Sequence, residues 1–293
     1  MKKKVILDTD MFNEIDDQFA LTYLMTSLDV FDVEAITIAP FFNSGYAKAK
    51  TIEEGTEKSY NRTLEILDMI DMSKYKKKVY KGAVNYTIDS MKSNDAVDKM
   101  IEICLKNDKT YIIAIGAITN VAIAINKEPR IVDKIEVIWL GGNAPWIGQN
   151  KEFNFKQDIN SVKIVFESKV KLTVIPCRGV ASHLITTTYE LRHYLNNSEI
   201  GKFLCDNFEK LKKHYFSNEE DEIGNSKTLW DLSAIAYLVN KDWFVTKNIS
   251  CPNILEDGKY ELTNDRHNVT FAIDLFRNKI YNDYLKKMKQ FDK

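Results

Sequence analysis

Glycine and proline are scarce in this chain, 11 and 5 among 293 residues, and no Gly-, Ser- or Pro-rich linker, internal repeat or low-complexity tract interrupts it. With 44% hydrophobic residues, such a sequence can bury one large core or two modest ones, which speaks against disorder. Neither sign of charge is in surplus: 41 basic against 42 acidic residues leave a formal charge of -1. Short clusters such as Lys76-Lys77-Lys78 read as solvated loop, and a nucleic-acid partner, which needs a basic face, is not expected. Cysteine is sparse and scattered. Cys104, Cys177, Cys205 and Cys251 lack the close spacing of a zinc or redox motif and are expected to be reduced and mostly buried. No run approaches the roughly 18 apolar residues of a membrane span. The basic start, Met1 to Lys4, meets Asp8 after three apolar residues, too short for a signal-peptide core, so the expected compartment is the cytoplasm and no membrane partner is expected.

What the sequence does have is short Val/Ile-rich runs at Lys4–Leu7, Val33–Ala39, Tyr111–Ile115, Ile135–Leu140 and Leu172–Ile175. They lack strict alternation, as strands covered on both faces do. Segments of helical period lie between them, at Gln18–Leu28, Ala47–Met72, Ala96–Lys106 and Val162–Glu167. Alternation of this kind predicts an α/β fold, a mostly parallel central sheet flanked by helices. After about residue 186 the pattern turns helical, at Glu199–Tyr215 and Thr228–Asn240. A small β excursion follows over Ile249–Leu275, with a turn at Glu256-Asp257-Gly258-Lys259, and a charged helix closes the chain. These read as a helical and small β appendage to a single domain, residues 1–293.

The most informative segment follows the first strand, where Asp8, Asp10, Glu14, Asp16 and Asp17 crowd into a loop and the start of a helix. That puts five carboxylates at the carboxyl end of a strand, the place where open α/β sheets bind ligands. Like charges so close destabilise the fold unless something positive neutralises them. A divalent cation does so economically, since hard ions such as Ca²⁺ take about six to eight oxygen ligands. Asp16 or Asp17 alone reads as a helix N-cap, but a helix needs only one cap.

The string Asp8-Thr9-Asp10 followed by Asp16-Asp17 and an Ala-Leu helix resembles the opening motif of the inosine-uridine-preferring nucleoside hydrolases, with a loop two residues longer over Met11 to Ile15. Further segments resemble the same family in the right order. They are Ile115-Gly116-Ala117-Ile118-Thr119-Asn120, Leu140-Gly141-Gly142-Asn143, the run Glu152-Phe153-Asn154-Phe155 with Asp158, and Trp230-Asp231-Leu232. The resemblance implies cleavage of the N-glycosidic bond of a ribonucleoside, with Ca²⁺ as cofactor, a role in purine or pyrimidine salvage, and assembly as a homodimer or homotetramer. It implies metal ligands Asp10, Asp17, Asp231 and the backbone carbonyl of Thr119. Asp10 would also take the proton of the attacking water, Asp16 would accept from the ribose 2′-hydroxyl, and Asn143, Glu152 and Asn154 would grip the sugar. Asp8 would orient these groups from behind.

Duller roles compete: a turn for Asn143, surface polarity for Glu152 and Asn154, a helix cap for Asp231. At Trp230 the chain departs from the family, many of whose members carry a histidine there to protonate the leaving base. Stacking of the base on Trp230, Trp146 or Phe12, or an acid drawn from His183, His267 or Tyr86, would fill the gap. Asn43 is a further candidate for a sugar contact. Two rival readings are a metal-dependent nucleoside- or ribose-binding protein without turnover, motivated by Trp230, and a haloacid-dehalogenase-type phosphatase. The latter leaves Asp16, Asp17, the Glu-Phe-Asn run and Asp231 unexplained.

Overall fold

The computed structural model describes residues 2–45, 49–87, 89–148, 150–215 and 226–292. The chain runs β1 (Lys3–Thr9), α1 (Asp16–Met25), β2 (Phe31–Ile38), α2 (Ile52–Met69), β3 (Val79–Tyr80), α3 (Asp95–Lys106), β4 (Thr110–Ala114), α4 (Thr119–Lys127) and β5 (Ile135–Leu140). It continues with α5 (Phe153–Gln157), α6 (Ile159–Glu167), β6 (Lys171–Ile175), β7 (Ile185–Thr187), α7 (Thr188–Leu195), α8 (Glu199–Tyr215) and β8 (Ser226–Thr228). Then follow α9 (Leu232–Val239), β9 (Phe244–Ser250), β10 (Asn253–Ile254), β11 (Tyr260–Glu261), β12 (Asn268–Leu275) and α10 (Arg277–Met288).

The main sheet has the order β3-β2-β1-β4-β5-β6-β12-β9. All its pairings are parallel except β9 against β12. From β1 the chain builds outward through β2 and β3, then returns to the other side of β1 and builds the opposite way from β4. The order therefore reverses between β1 and β4, and a crevice opens at their carboxyl ends. Side chains of β1 alternate between two cores, with Val5 and Leu7 in one and Ile6 in the other. Helices α1, α9 and α10 cover the first face, and α3, α4 and α6 the second.

Two features of the tail differ from the sequence expectation. The β excursion is more than an appendage, because β12 pairs in parallel with β6 and carries β9 on its outer edge, lengthening the main sheet. The helix predicted from Thr228 begins at Leu232, since the backbone of Ser226–Thr228 is taken up by antiparallel pairing with β7. The predicted start of a helix at Ala47 lies outside the described residues, and α2 begins at Ile52, where Thr51 accepts a capping bond from the Glu54 amide. All four cysteines are free and buried.

Glu136 on β5 faces inward beside three lysines, Lys109, Lys171 and Lys241, at 3.0, 3.1 and 3.0 Å. Burial pushes its carboxyl up, but the three ion pairs outweigh burial and hold it at about 2. A carboxylate depressed in the folded state contributes stability that is present above its unfolded pKa and is lost as pH falls through the folded one. Wild type is therefore expected to melt above Glu136→Gln at pH 7, with the gap closing between about pH 4.5 and pH 2. Melting curves of both proteins across that range check it, and a gap independent of pH refutes it.

Candidate active site

A cavity of about 340 Å³ opens at the carboxyl ends of β1, β4, β5 and β6. Its floor is acidic. Asp10 follows β1, Asp16 and Asp17 form the first turn of α1, and Asp231 immediately precedes α9; all four are buried and line the cavity.

Local structure explains how one loop delivers three of them. The amide of Asn13 donates to the Asp10 carbonyl at 2.7 Å, closing a turn that leads straight into α1. Helix α1 is buried along its whole length, including Gln18 and Thr22, so packing around it rather than an amphipathic stripe holds it in place. Its N-cap, Ile15, makes no side-chain cap bond, and neither Asp16 nor Asp17 serves as the cap. Asp231 makes no cap bond to α9 either. Instead its amide donates to Asp16 Oδ2 at 3.3 Å, while the Thr9 hydroxyl donates to Asp17. These aspartates are tied to one another's segments rather than to their own helix ends.

Among the described residues, Asp16, Asp17 and Asp231 each bring an oxygen within 4.8 Å of the others, a grouping able to hold a metal ion. Asp10 adjoins that triple: after burial, the charge of Asp17 is the next strongest influence raising its carboxyl, with Asp16 adding to it. Burial first, and neighbouring carboxylates second, push Asp10, Asp17 and Asp231 well up from the ordinary carboxylate range. Asp10 Oδ2 is buried without a hydrogen-bond partner. A buried orphan oxygen among acids of one sign fits a divalent cation, which such oxygens prefer. Gly116 makes room for this arrangement, because a Cβ there would sit 3.1 Å from Asp10 Oδ1 and 2.9 Å from Ala39 Cβ.

Asp8 lies beneath the floor. Its carboxylate accepts from Asn120 Nδ2 at 2.9 Å and the Thr37 hydroxyl at 2.7 Å, so it ties β1 to β2 and α4. Burial outweighs those two bonds and raises its carboxyl to about 6.

The opposite wall comes from the loops after β5 and β6. Glu152 caps α5, accepting from the amides of Asn154 and Phe155, both at 2.9 Å, and also accepts from Gly142 N at 2.8 Å. Asn154 Nδ2 donates to the carbonyls of Ile115 and Leu140, both at 3.1 Å. Glu152 and Asn154 line the cavity and serve its framework, so they are not idle surface groups. Asn143 does both jobs as well: it lines the cavity, and its Oδ1 accepts from Arg178 N at 3.2 Å. Gly142 has φ +70°, and a Cβ there would meet the Tyr260 hydroxyl at 2.4 Å, so the turn needs glycine. Trp230 lines the cavity beside Asp231, with the Lys227 ammonium 4.3 Å from its ring centroid and paired to Glu14 at 2.5 Å.

Thr119 is a correction. It lies off the cavity at the start of α4, its hydroxyl donating to Asp158 at 2.8 Å, and its carbonyl belongs to the helix ladder. Ile115, just past β4, lines the cavity in its stead. Asp158 likewise faces away from the cavity, accepting from Thr87, Thr119 and Ser161. Of the other aromatic and acidic candidates, Trp146, Phe12, His183, His267 and Tyr86 do not line the cavity. Asn43 reaches it only indirectly, through a 2.9 Å bond to Asn13 Oδ1. Lining residues that sequence reasoning missed include Asn13, Lys151, Cys177 and Arg178. Only Asn13 carried a signal, as a polar residue inside the acidic loop.

The sequence profile of the inosine-uridine preferring nucleoside hydrolases matches residues 5–282. The chain belongs to this family. Over 149 residues it is 28% identical to a probable ribonucleoside hydrolase of Dictyostelium discoideum, covering 48% of this chain and 43% of that protein. Over 170 residues it is 27% identical to a putative pyrimidine-specific ribonucleoside hydrolase RihB of Shigella boydii serotype 4, covering 57% of this chain and 64% of that one. The match thus spans about half the length of these curated relatives. A purine-preferring ribonucleoside hydrolase from Gardnerella vaginalis superposes with a TM-score of 0.81 at 22% identity, covering 99% of both chains. An inosine-uridine preferring nucleoside hydrolase from Bacillus anthracis gives 0.71 at 17% identity over 99% and 100% of the two chains. At that identity, both likenesses bear on the fold alone.

Proposed function

We propose that this family member hydrolyses the N-glycosidic bond of a ribonucleoside, releasing free base and ribose, at the cavity floored by Asp10, Asp16, Asp17 and Asp231. The observation carrying this reading is the convergence of acids from residues 10–17 with Asp231, around an unpartnered Asp10 oxygen, inside a nucleoside-sized cavity. Asp10, Asp17, Asp231 and the Ile115 carbonyl would hold Ca²⁺, Asp16 being close enough to share in it. When bound, the cation supplies Lewis acidity that makes water easier to deprotonate, together with sites for the ribose diol oxygens.

Asp10 takes the proton of the attacking water, positioned by the turn to Asn13. Asp16 accepts from the 2′-hydroxyl, and Asn143, Glu152 and Asn154 hold the rest of the sugar against the framework they brace. Positive charge growing on the ribose towards an oxocarbenium-like transition state is favoured by the surrounding carboxylates. Trp230 offers a face on which the base stacks. A ribonucleoside panel assayed for free sugar with and without calcium tests the reading, and activity untouched by complete metal removal defeats it.

Trp230 in the position of a histidine favours one second reading, a metal-dependent nucleoside-binding protein without turnover. Calorimetry beside the sugar assay separates the two, since binding without sugar release removes the hydrolase. Within the hydrolase reading, Trp230→His is expected to change the ratio of kcat/KM between purine and pyrimidine nucleosides by roughly 2- to 10-fold, the worth of one aromatic stacking contact. Unchanged ratios on every base would place Trp230 outside the base site. The preferences named for its relatives, pyrimidine for one and purine for another, leave both open to this chain.

The sheet bearing the site draws strands from residues 3 to 275, which supports reading 1–293 as one domain. A homodimer or homotetramer, cytoplasmic placement and a role in nucleoside salvage complete the proposal, the first checked by light scattering. No described helix is long and apolar enough to cross a membrane.

A further inference from the structure

The loop after β5 that carries Asn143 is braced by the tail of the chain. Tyr260, on β11, packs into an aromatic cluster, edge-on to Phe155 and Phe271 with ring centroids 5.6 and 5.8 Å away and stacked on Phe166 at 6.2 Å. Its hydroxyl extends to the turn at Gly142, lying 2.4 Å from where a Cβ would stand, and Asn150 Nδ2 lies 3.2 Å from the same point. Both atoms are buried, and neither makes a well-aligned hydrogen bond to any other group among the described residues. What each has is the other, the amide leaning towards the phenol oxygen. The opposite end of the Asn150 amide is committed, since its Oδ1 accepts from Asn143 N at 2.8 Å. The turn of the same hairpin presses on this residue too: a Cβ at Gly258 would meet the Asn150 carbonyl oxygen at 3.4 Å.

From this convergence we infer that Tyr260 is a positioning residue for the hydrolysis: its hydroxyl steadies Asn150, and through Asn150 the backbone of Asn143, where the sugar is to be held. The inference rests on the hydrolase reading and deepens it. It gives the β10–β11 hairpin a part in the site although neither Tyr260 nor Asn150 lines the cavity. Packing alone does not call for the hydroxyl. The three rings around Tyr260 are phenylalanines, a fourth would fill the same space, and a buried hydroxyl short of hydrogen bonds costs stability. A phenol oxygen does what a ring edge does not: it accepts from Nδ2, and so keeps the amide turned with Oδ1 towards Asn143 N. Small displacements of Asn143 matter because the sugar must be held in line with the attacking water, and a misplacement of about 1 Å can cost on the order of 10²-fold in rate.

The test compares wild type, Tyr260→Phe, Asn150→Ala and the double variant as full chains with calcium, on inosine and on uridine. Tyr260→Phe keeps the aromatic packing and breaks no well-aligned bond, so it is expected to melt within about 3 °C of wild type. Its kcat/KM is nevertheless expected to fall roughly 5- to 20-fold, a fraction of the cost of a full misplacement. The factor should be the same for both nucleosides, because the sugar is common to them. Asn150→Ala is expected to lose at least as much, and adding Tyr260→Phe to it to change little, as two groups acting in series do. Activity within twofold of wild type in Tyr260→Phe would overturn the inference while leaving the hydrolase reading intact. So would additive losses in the double variant, a factor that depends on the base, or a loss matched by a larger drop in melting temperature, which makes Tyr260 a packing residue only. If wild type cleaves neither nucleoside, the hydrolase reading fails separately. Calorimetry with inosine then decides the role of Tyr260, with equal affinity of wild type and Tyr260→Phe refuting it and weaker binding by the variant upholding it.

Discussion

Asp10→Asn is expected to lower base release by about 10²–10⁴-fold, the contribution typical of a positioned general base. The asparagine keeps the shape of the side chain, so the turn to Asn13 and the packing against Gly116 survive. What it loses is the ability to take a proton and one negative charge at the floor. KM is expected to change far less than kcat, because Asn143, Glu152 and Asn154, the proposed sugar contacts on the other wall, are left in place. Stopped assays of free base at saturating substrate check this. A variant retaining more than a tenth of wild-type kcat would remove Asp10 from the proton-transfer role.

Stripping divalent cations by chelation and dialysis is expected to abolish turnover and to lower the melting temperature, both recovering when calcium is returned. The stability effect follows from mass action: a ligand that binds only the folded state at about 100 times its Kd stabilises by about 2.7 kcal/mol, or roughly 5 °C for a chain of this size. Four buried carboxylates, of which Asp10 keeps an unpartnered oxygen, leave the cation-free floor under repulsion that the ion relieves. Magnesium is expected to restore less than calcium, since its smaller octahedral shell suits a crowded, flexible carboxylate set poorly. Scanning calorimetry with a calcium titration provides the measurement. A melting temperature indifferent to calcium would dissociate the acids from metal binding.

Much of the site could be read from residue order because its acids are local. Asp8 to Asp17 occupy one strand end and one helix start, where the burial of β1 and the density of carboxylate are both visible in the string. Trp230-Asp231 was legible only as part of a motif, for nothing local says that the start of α9 meets the start of α1. Thr119 misled because a motif names residue types, whereas the direction of a carbonyl depends on where the strand stops; β4 ends at Ala114, leaving Ile115 at the cavity and Thr119 inside a helix. The tail misled for a related reason. Strand β12 owes its place to pairing with β6, and β9 to pairing with β12, long-range choices that β propensity does not encode. Lys151 and Arg178 gave no signal at all, since a cation that lines a cavity and one on open surface look alike until their neighbours are known.

The bond from the Asp231 amide to Asp16 joins positions 215 residues apart. An unfolded chain meets a steep entropic barrier to bringing those positions together, and a partly made protein lacks the later one altogether. On the proposed ligand set, cation uptake would be a signature of completed assembly: a nascent or truncated polypeptide ending before Asp231 would lack one of the carboxylates proposed to grip the ion, and tight retention would begin only when the far end of the chain has docked.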